Sequence, residues 1–212
     1  MMVKTHDFIE VNYTGKIKDN EAVFDTTDEK IAKDSGIYNP KMGYKSVIIC
    51  VGERQLIKGL DDQIIGKEVS KKYSFEVEAK DAFGKKDAKL IKLVPTNIFK
   101  QQNINPFVGL EVQIDGQYGI IRSINGGRTL VDFNHPLASK DVSYDIEIIR
   151  KVDDAKEQLD SLLELTLNLG KAETELKEDE AVIKSKIPEP FQEVITKKIL
   201  EVVPKIKKVS YK

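Results

Sequence analysis

The sequence predicts an α+β fold, built mainly from antiparallel strands with helices added. Apolar and polar residues alternate over residues 8–17, 74–79 and 142–148, which is typical of strands with one buried face. Asp115-Gly116 and Asn125-Gly126 favour hairpin turns, because these residue types tolerate positive φ at the two central positions. Apolar residues at helical spacing occur mostly after Lys151. Strands therefore dominate the first part of the chain, and helices are more prominent in the last.

The N-terminal elements alternate between strands and short helices. Ile9, Val11 and Tyr13 fall on one face of the first strand, at the period of two that a half-buried strand requires. Turn residues and Gly66 then mark the ends of short elements. In order, we predict a surface helix over 28–34, a strand over 46–51, a helix over 59–65 and a strand over 74–79.

The middle of the chain has the pattern of a module inserted between two strands of one domain. From residue 85 to about residue 130 there are several short strand-like pieces separated by turns. A strand with the alternation of the first core then resumes at Val142. We expect three parts: a discontinuous domain of residues 1–85 and 131–152, an inserted β-rich module of residues 86–130, and a C-terminal α/β region of residues 153–212.

The C-terminal region is predicted to contain two helices, a hairpin and a last strand. Asp153 is an acceptable N-cap for the first helix, whose end is ambiguous because alternating leucines continue to Leu169, just before Gly170. The hairpin is expected over 172–177 and 181–187, and the last strand over 205–211. The second helix, over 189–203, is amphipathic and is expected to use Phe191, Val194, Ile195 and Ile199.

Composition excludes several classes of function. With 34 Lys and Arg against 35 Asp and Glu, the net charge of -1 gives no field for binding nucleic acid. Cys50 is the single cysteine, so no intramolecular disulfide is expected, and no apolar run approaches the ~20 residues that span a membrane. His6 and His135 lack metal-ligand spacing, and no cofactor motif is present. We expect a cytoplasmic protein that needs no metal or cofactor.

Six short motifs follow one another across roughly the first 150 residues. They are Val11-Asn12-Tyr13-Thr14-Gly15, Val23-Phe24-Asp25-Thr26-Thr27, Leu56-Ile57-Lys58-Gly59-Leu60, Asp81-Ala82-Phe83-Gly84, and the segments 131–137 and 142–147. In this order the motifs resemble the FKBP-type peptidyl-prolyl isomerases. The inserted module matches the flap of that fold, where SlyD-like members, including the long archaeal ones, carry an insert-in-flap domain with chaperone activity.

The resemblance implies a catalytic pocket without a nucleophile. Such an enzyme lowers the barrier of ~18–20 kcal/mol to rotation of the X-Pro bond by moving the amide into an apolar cleft. The resemblance assigns the pocket to Tyr13, Phe24, Leu56, Leu60 and Tyr144, with Asp25 at its edge, the backbone N–H of Ile57 as a donor, and Ala82 and Phe83 beside it. Leu60 and Phe83 stand where many members have tryptophan and tyrosine, respectively.

Each of these residues also has a purely structural interpretation. Tyr13, Phe24, Leu60 and Tyr144 are residue types that any core accepts, and only their joint order is informative. Asp25 precedes the predicted helix, so the alternative is that it caps that helix at Asp28. Substitutions at the positions of Leu60 and Phe83 keep a second function open, that of a holdase or assembly module with little isomerase activity.

The expected partners are unfolded or proline-containing polypeptides and, by the resemblance, a macrolide inhibitor. In the inserted module, client binding is assigned to Ile98, Phe99, Ile104, Phe107, Leu110 and Tyr118. Some of these side chains must also form the core of the module, because about 45 residues bury little apolar surface. A homodimer through the C-terminal region is expected for the same reason, since its unit is small.

Overall fold

The computed structural model describes residues 1–167, 172–185 and 187–212, without the side chains of residues 166 and 167. Its contacts divide the chain into two compact units. The first unit contains Met1–Ala82 and Asp141–Lys212, and the second contains Phe83–Lys140. The C-terminal region therefore packs with the N-terminal strands. The second unit extends beyond the predicted insert of residues 86–130 on both sides.

Twelve strands and five α-helices lie within the described residues. The strands are β1 (Phe8–Ile17), β2 (Val23–Thr26), β3 (Val47–Cys50), β4 (Lys71–Val77), β5 (Ile91–Pro95), β6 (Glu111–Ile114), β7 (Gln117–Asn125), β8 (Arg128–Asp132), β9 (Val142–Lys151), β10 (Thr174–Lys177), β11 (Glu180–Ile183) and β12 (Lys208–Tyr211). The helices are α1 (Glu29–Asp34), α2 (Lys58–Ile64), α3 (Thr96–Gln101), α4 (Ala155–Leu167) and α5 (Glu189–Val202). The predicted α+β class is confirmed.

The main sheet of the first unit is antiparallel, with strand order β2-β1-β9-β4 and β3 on the same edge of β1 as β2. Tyr144 of β9 lies between Gly15 of β1 and Phe75 of β4. Because opposed residues of paired strands point to the same face, the alternation of β1 continues across the sheet. One face is apolar and is covered by α2, which buries Leu60 and Ile64.

Glycine allows α2 to approach this sheet closely. A Cβ atom at Gly59 would lie 2.5 Å from Cγ1 of Val77 and 3.1 Å from Cβ of Asp81. Side chains do not tolerate such distances, so a larger residue at position 59 would push the helix away from β4. The glycine of the Leu56-Ile57-Lys58-Gly59-Leu60 motif therefore has a packing role at this position.

The C-terminal part of the first unit has its own small sheet of strand order β10-β11-β12, in which β11 and β12 are parallel. Its apolar residues form one core with Phe8 of β1 and Cys50 of β3. Burial raises the pKa of the Cys50 thiol to about 12, so this cysteine is an inert core residue. The C-terminal region therefore completes the hydrophobic core that begins on the N-terminal strands.

Two expectations for the C-terminal helices are wrong. Asp154, rather than Asp153, accepts the backbone N–H of Glu157 at the start of α4. In α5, Ile195 and Ile199 are buried, whereas Phe191 and Val194 are exposed, because only one of the two apolar stripes of the helix faces the core. Leu169 and Gly170, which were expected near the end of α4, lie outside the described residues.

The second unit contains a four-stranded sheet of order β5-β8-β7-β6 and the helix α3, which the sequence analysis did not predict. Its core consists of Phe99, Val112, Ile121 and Val131, with partly buried neighbours. The turn between β7 and β8 has positive φ at Gly126 and Gly127, so its central pair lies one residue later than the predicted Asn125-Gly126. Asp115-Gly116 has positive φ at both residues, as predicted.

Candidate functional site

Three aromatic side chains meet on the apolar face of the main sheet. The ring of Tyr144 lies 6.1 Å from that of Tyr13 and 5.7 Å from that of Phe24, and the second pair is edge-to-face. A Cβ atom at Gly15 would lie 2.7 Å from Phe24 and 2.9 Å from Tyr144, so the glycine leaves space for both rings. Tyr144 is buried, whereas Tyr13 and Phe24 are half-buried, so this cluster of three rings, called the aromatic pocket below, is partly accessible.

Asp25 lies at the edge of this aromatic pocket. The hydroxyl of Tyr13 donates a hydrogen bond of 2.9 Å to Oδ2 of Asp25. Burial, together with the negative charge of Asp25, raises the pKa of Tyr13 and of Tyr144 above the usual value, so both hydroxyls remain protonated donors. The helix α1 is capped by Asp28, which accepts the N–H of Ile31. The alternative role of Asp25 as the cap of this helix is therefore wrong.

The loop of residues 51–57 leads to the other predicted pocket residues. Asp61 is buried on α2 and accepts the backbone N–H groups of Gly52 and Arg54, at 2.9 and 3.1 Å, respectively. Leu56 and Ile57 are half-buried, and Ile57 is the N-cap residue of α2. Among the residues that the structure describes, no acceptor is found for the backbone N–H of Ile57.

The helix α2, which follows this loop, and the aromatic residues lie on the same face of the sheet. Phe75 pairs with Tyr144, and Val77, two residues further along β4, contacts α2 at Gly59. Residues two apart on a strand point to the same side. Lys58 also forms an ion pair of 2.9 Å with Asp81, next to Ala82. The structure thus places eight of the nine predicted catalytic residues in the first unit.

Phe83 is the ninth predicted residue and belongs to the second unit. Its ring stacks on that of His135, with the centroids 4.7 Å apart and the planes at 2°. Nδ1 of His135 accepts the backbone N–H of Leu137, so in the neutral ring the proton is on Nε2. The stacked pair links the segment between β4 and β5, which contains Phe83, to the segment between β8 and β9, which contains His135.

Asp61 is a residue of the candidate site that the sequence analysis missed. It is 1% exposed, and both of its carboxylate oxygens hold the loop that precedes Leu56 and Ile57. A signal was available in the sequence, because Asp61 follows Leu60 on a short helix whose other inward residues are apolar. An acidic residue at such a position requires partners, and a loop of unpaired N–H groups provides them.

The opposite face of the main sheet carries a groove of about 480 Å³. Its lining combines polar residues, such as Asn12, Ser74 and Asp145, with residues that include Ile31, Tyr73 and Ile146. Asp145 is paired with Lys16 and accepts a hydrogen bond from Ser74. The groove thus carries several charged groups, whereas the cluster of Tyr13, Phe24 and Tyr144 presents aromatic surface, which suits a proline ring better.

The predicted client-binding residues of the second unit fall into two groups. Phe107 and Tyr118 are 58% and 75% exposed, respectively, and Ile98 is half-buried. Phe99 is buried in the core, and Ile104 and Leu110 pack against it, so the assignment of Phe99 to the binding surface is wrong. Leu93 and Val108 are also exposed, although the sequence analysis did not select them.

The sequence predicts neither a metal site nor a membrane-spanning segment. Over the described ranges, no group of three or more His, Cys, Asp or Glu side chains is placed to hold a metal ion. Among the described helices, none is long and apolar enough to cross a membrane.

Comparisons with known proteins agree with this geometry. A family model described as FKBP-type peptidyl-prolyl cis-trans isomerase matches residues 1–102, and a model described as FKBP26, IF domain matches residues 92–137. The chain is similar to the FKBP-type 16 kDa peptidyl-prolyl cis-trans isomerase of Escherichia coli K12, with 32% identity over 146 residues, covering 66% of this chain and 97% of the relative.

Two further relatives extend the comparison. The short-type peptidyl-prolyl cis-trans isomerase of Methanocaldococcus jannaschii is 28% identical over 147 residues, which cover 69% of this chain and 92% of that protein. The FKBP-type isomerase SlyD of Escherichia coli K12 is 28% identical over 113 residues, covering 51% and 57% of the two chains. Together with the aromatic pocket, these matches show that the chain belongs to the FKBP-type peptidyl-prolyl cis-trans isomerases and is an isomerase enzyme.

Proposed function

We propose that the enzyme binds the proline of an extended peptide in the aromatic pocket and rotates the preceding bond there. The observation that carries this assignment is the ring contact of Tyr13, Phe24 and Tyr144 on one face of the sheet. In this proposal, Leu56 and Leu60 complete the apolar lining, with Ala82 beside it. Phe83 is assigned to the site by the family resemblance alone. The same pocket is the proposed site for a macrolide inhibitor.

Catalysis in such a pocket follows from the electronic structure of the amide. The planar amide is stabilised by resonance that separates charge, and water stabilises that charge. An apolar lining removes the water, so the planar ground state loses more stabilisation than the twisted transition state does. The backbone N–H of Ile57 then holds the neighbouring carbonyl of the peptide, and Tyr13 keeps the Asp25 carboxylate fixed at the edge.

A protease-free isomerisation assay on an X-Pro tetrapeptide tests the site. Ile57→Asp places a charge where the peptide backbone binds, and Asp25→Ala removes the group that orients Tyr13; we expect each to lower kcat/KM by about tenfold or more. Asp28→Asn is the matched control, because it changes a carboxylate of the same segment that caps α1 instead. Unchanged activity of the first two variants, with the folds intact, would remove the assignment.

We also propose that the second unit holds unfolded polypeptide, so that the protein acts as a folding chaperone. Phe107, Val108, Tyr118 and Leu93 leave large apolar surfaces exposed on a unit of residues 83–140. Exposed apolar surface of this kind is suited to the side chains of an unfolded chain. The SlyD-named relative supports this proposal through its similarity to part of the chain.

The chaperone proposal is tested by removing the exposed surface without touching the core. The double variant Phe107→Ser with Tyr118→Ser is expected to suppress aggregation of an unfolded client much less than the original protein does. Its activity on a tetrapeptide should be unchanged, because a short peptide needs only the pocket. Tyr38→Ser is the control, since Tyr38 is 42% exposed in the first unit. Equal aggregation suppression by the double variant would refute the proposal.

For the arrangement of the chain, we propose an isomerase domain of residues 1–85 and 131–152, an insert of residues 86–130 and a C-terminal domain of residues 153–212.

We further propose a homodimer through the C-terminal domain. Leu162, Leu163 and Ile199 are used by the core of the monomer, so the contact would use Phe191 and Val194, which are 60% and 67% exposed. Light scattering should give a dimer that Phe191→Glu converts to a monomer; a monomeric original protein would overturn this.

A further inference from the structure

The C-terminal helix α5 is joined to the loop of residues 51–57 by an ion pair. Nζ of Lys198 lies 2.8 Å from Oε2 of Glu53, and Nε2 of His6 lies 3.4 Å from the other carboxylate oxygen. The Glu53 side chain is only 13% exposed and that of Lys198 is 35% exposed. Lys198 also contacts Glu201 one turn further along the helix, at 3.1 Å. Glu53 is thus held between the N-terminal segment and the last helix.

Glu53 lies in the middle of a loop that is also held by other bonds, including an ion pair of 2.9 Å between Arg54 and Asp62 of α2. The side chain of Gln55 accepts the N–H of Cys50, and Asp61 accepts the N–H groups of Gly52 and Arg54. The bonds to Asp61 and Asp62 hold the loop from the side of α2, and the bond to Gln55 holds it to the end of β3. Within this loop, the ion pair with Lys198 adds a side-chain attachment from the C-terminal region. Ile57 follows Glu53 by four residues, so Glu53 lies on the segment that leads into the pocket.

The burial of Glu53 distinguishes this pair from an ordinary surface salt bridge. Exposed pairs contribute about 0–1 kcal/mol, since water screens them and both side chains lose freedom. A carboxylate that is largely withdrawn from water keeps its charge only if a partner compensates for the lost hydration. The hydrogen bond to Glu53 also raises the pKa of Lys198, so the lysine stays charged.

The hydrophobic core gives the same connection a second support. Cys50, which ends β3 and leads into the loop, shares a core with Ile195 and Ile199 of α5. Lys198 follows Ile195 by three residues, so these two side chains lie on neighbouring positions of the helix surface. Apolar packing therefore fixes the distance between α5 and the loop, and the ion pair fixes the position of Glu53 within it.

We propose that Glu53 and Lys198 are positioning residues for the isomerase reaction, and that α5 is consequently part of the enzyme. The pair holds the loop so that the N–H of Ile57 points to the carbonyl of the bound peptide. This inference depends on the proposed pocket, in which Ile57 is the donor. It adds to the pocket a structural support from the C-terminal region.

The test compares steady-state kinetics of three lysine variants of the full chain. Lys198→Met keeps the length of the side chain but removes its charge, and we expect it to raise KM for an X-Pro tetrapeptide about threefold to tenfold, with a smaller change in kcat. Lys198→Arg restores the charge and should return KM most of the way to its original value. Lys197→Met changes another lysine of the same helix and should leave KM unaltered.

A spectroscopic readout separates positioning from general stability. In Lys198→Met, the amide resonance of Ile57 should shift or broaden, while the amides of β7 and β8 in the second unit stay in place. Glu53→Gln should raise KM similarly. The double variant with Lys198→Met should raise KM little further, because both substitutions break the same ion pair between Glu53 and Lys198. Additive effects, or an unchanged KM and Ile57 resonance, would overturn the inference.

The result also separates this inference from the assignment of the pocket. If Ile57→Asp abolishes activity but Lys198→Met has no effect on KM, the pocket is correct and the role of α5 is wrong. If Ile57→Asp leaves activity unchanged, the pocket assignment fails, and a shift of the Ile57 resonance in Lys198→Met then reports only on loop structure. All assays are run well below the unfolding midpoint of each variant.

Discussion

At the scale of single residues, the pocket depends as much on a missing side chain as on those present. Tyr13, Phe24 and Tyr144 supply the rings, but Gly15 supplies the space in which the last two meet. The motif Val11-Asn12-Tyr13-Thr14-Gly15 combines one wall of the pocket with that space. Packing at Tyr13 and Gly15 therefore explains why the motif has a tyrosine and a glycine at these two positions.

We predict that Gly15→Ala lowers both activity and stability. The new Cβ atom would lie 2.7 Å from Phe24 and 2.9 Å from Tyr144, so at least one ring must move, at a cost of about 1–3 kcal/mol. Peptide isomerisation and urea unfolding measure the two effects. Gly43→Ala is the control, because the Cβ atom that it adds would have no neighbouring heavy atom within 4 Å and the φ of Gly43 is not positive. Full activity of Gly15→Ala would contradict the proposed geometry of the pocket.

At the scale of elements, both strands and helices were located from their periodicity, and α1, α2 and α5 were predicted to within one residue at each end. The alternation in β1, β4 and β9 reports directly on a sheet with one apolar face. It gives β1 its observed bounds, whereas β4 begins three residues earlier and β9 ends three residues later than the alternation indicates. The helix α3 has only six residues and shows no repeated apolar spacing, so its sequence carries too little periodicity. In α5, spacing alone does not show which apolar stripe is buried.

The end of β8 is held by a buried carboxylate. Asp132 is 2% exposed and accepts hydrogen bonds from Lys86, Arg122 and Asn134. Burial alone would raise the pKa of Asp132, but the hydrogen bonds from Lys86 and Asn134 outweigh it and hold that pKa well below its usual value. Because the folded pKa is lowered, the stabilisation is present at neutral pH and is lost as the pH falls below about 4, through the folded pKa.

We predict that Asp132→Asn destabilises the second unit at pH 7 by about 1–3 kcal/mol, as expected when charged hydrogen bonds are lost. Hydrogen exchange of the β7 and β8 amides should be faster in this variant. When the pH is lowered below about 4, the free energy of unfolding of the variant should also decrease less than that of the original protein. Asp115→Asn, at an exposed turn of the same unit, is the control. Equal exchange rates in Asp132→Asn and the original protein would exclude the role of this carboxylate.

At the scale of the whole molecule, the family and the insertion that interrupts the first domain were predictable, because both are visible as short local patterns in the sequence. The extent of the C-terminal contacts was not. Phe8 and Cys50 appeared only as members of strands, yet they share a core with residues of α4, α5 and the small sheet. Contacts between residues far apart in sequence leave no local pattern, so neither this shared core nor the pair of Glu53 and Lys198 was predicted.

We predict that a chain cut after Lys151 is less stable than the full chain by about 3 kcal/mol or more, because Phe8 and its neighbours lose the apolar surface that covers them. Thermal unfolding and aggregation on heating measure this loss. Phe8→Ala in the full chain weakens the same core from the N-terminal side and should give a change of the same sign. An unfolding temperature equal to that of the full chain would show that the core is not shared in solution.

The pairing of β4 with β9 has a consequence for the order in which the protein is made. Phe75 and Tyr144 are neighbours in the sheet, but all 58 residues of the second unit, Phe83–Lys140, are synthesised between them. During translation, the whole second unit is therefore synthesised before β9, the strand with which β4 pairs. If the second unit folds first, the flexible connection between β4 and β9 becomes shorter and ordered. The loss of conformational entropy on pairing these two strands is then smaller. Vectorial synthesis would then favour assembly of the catalytic face last.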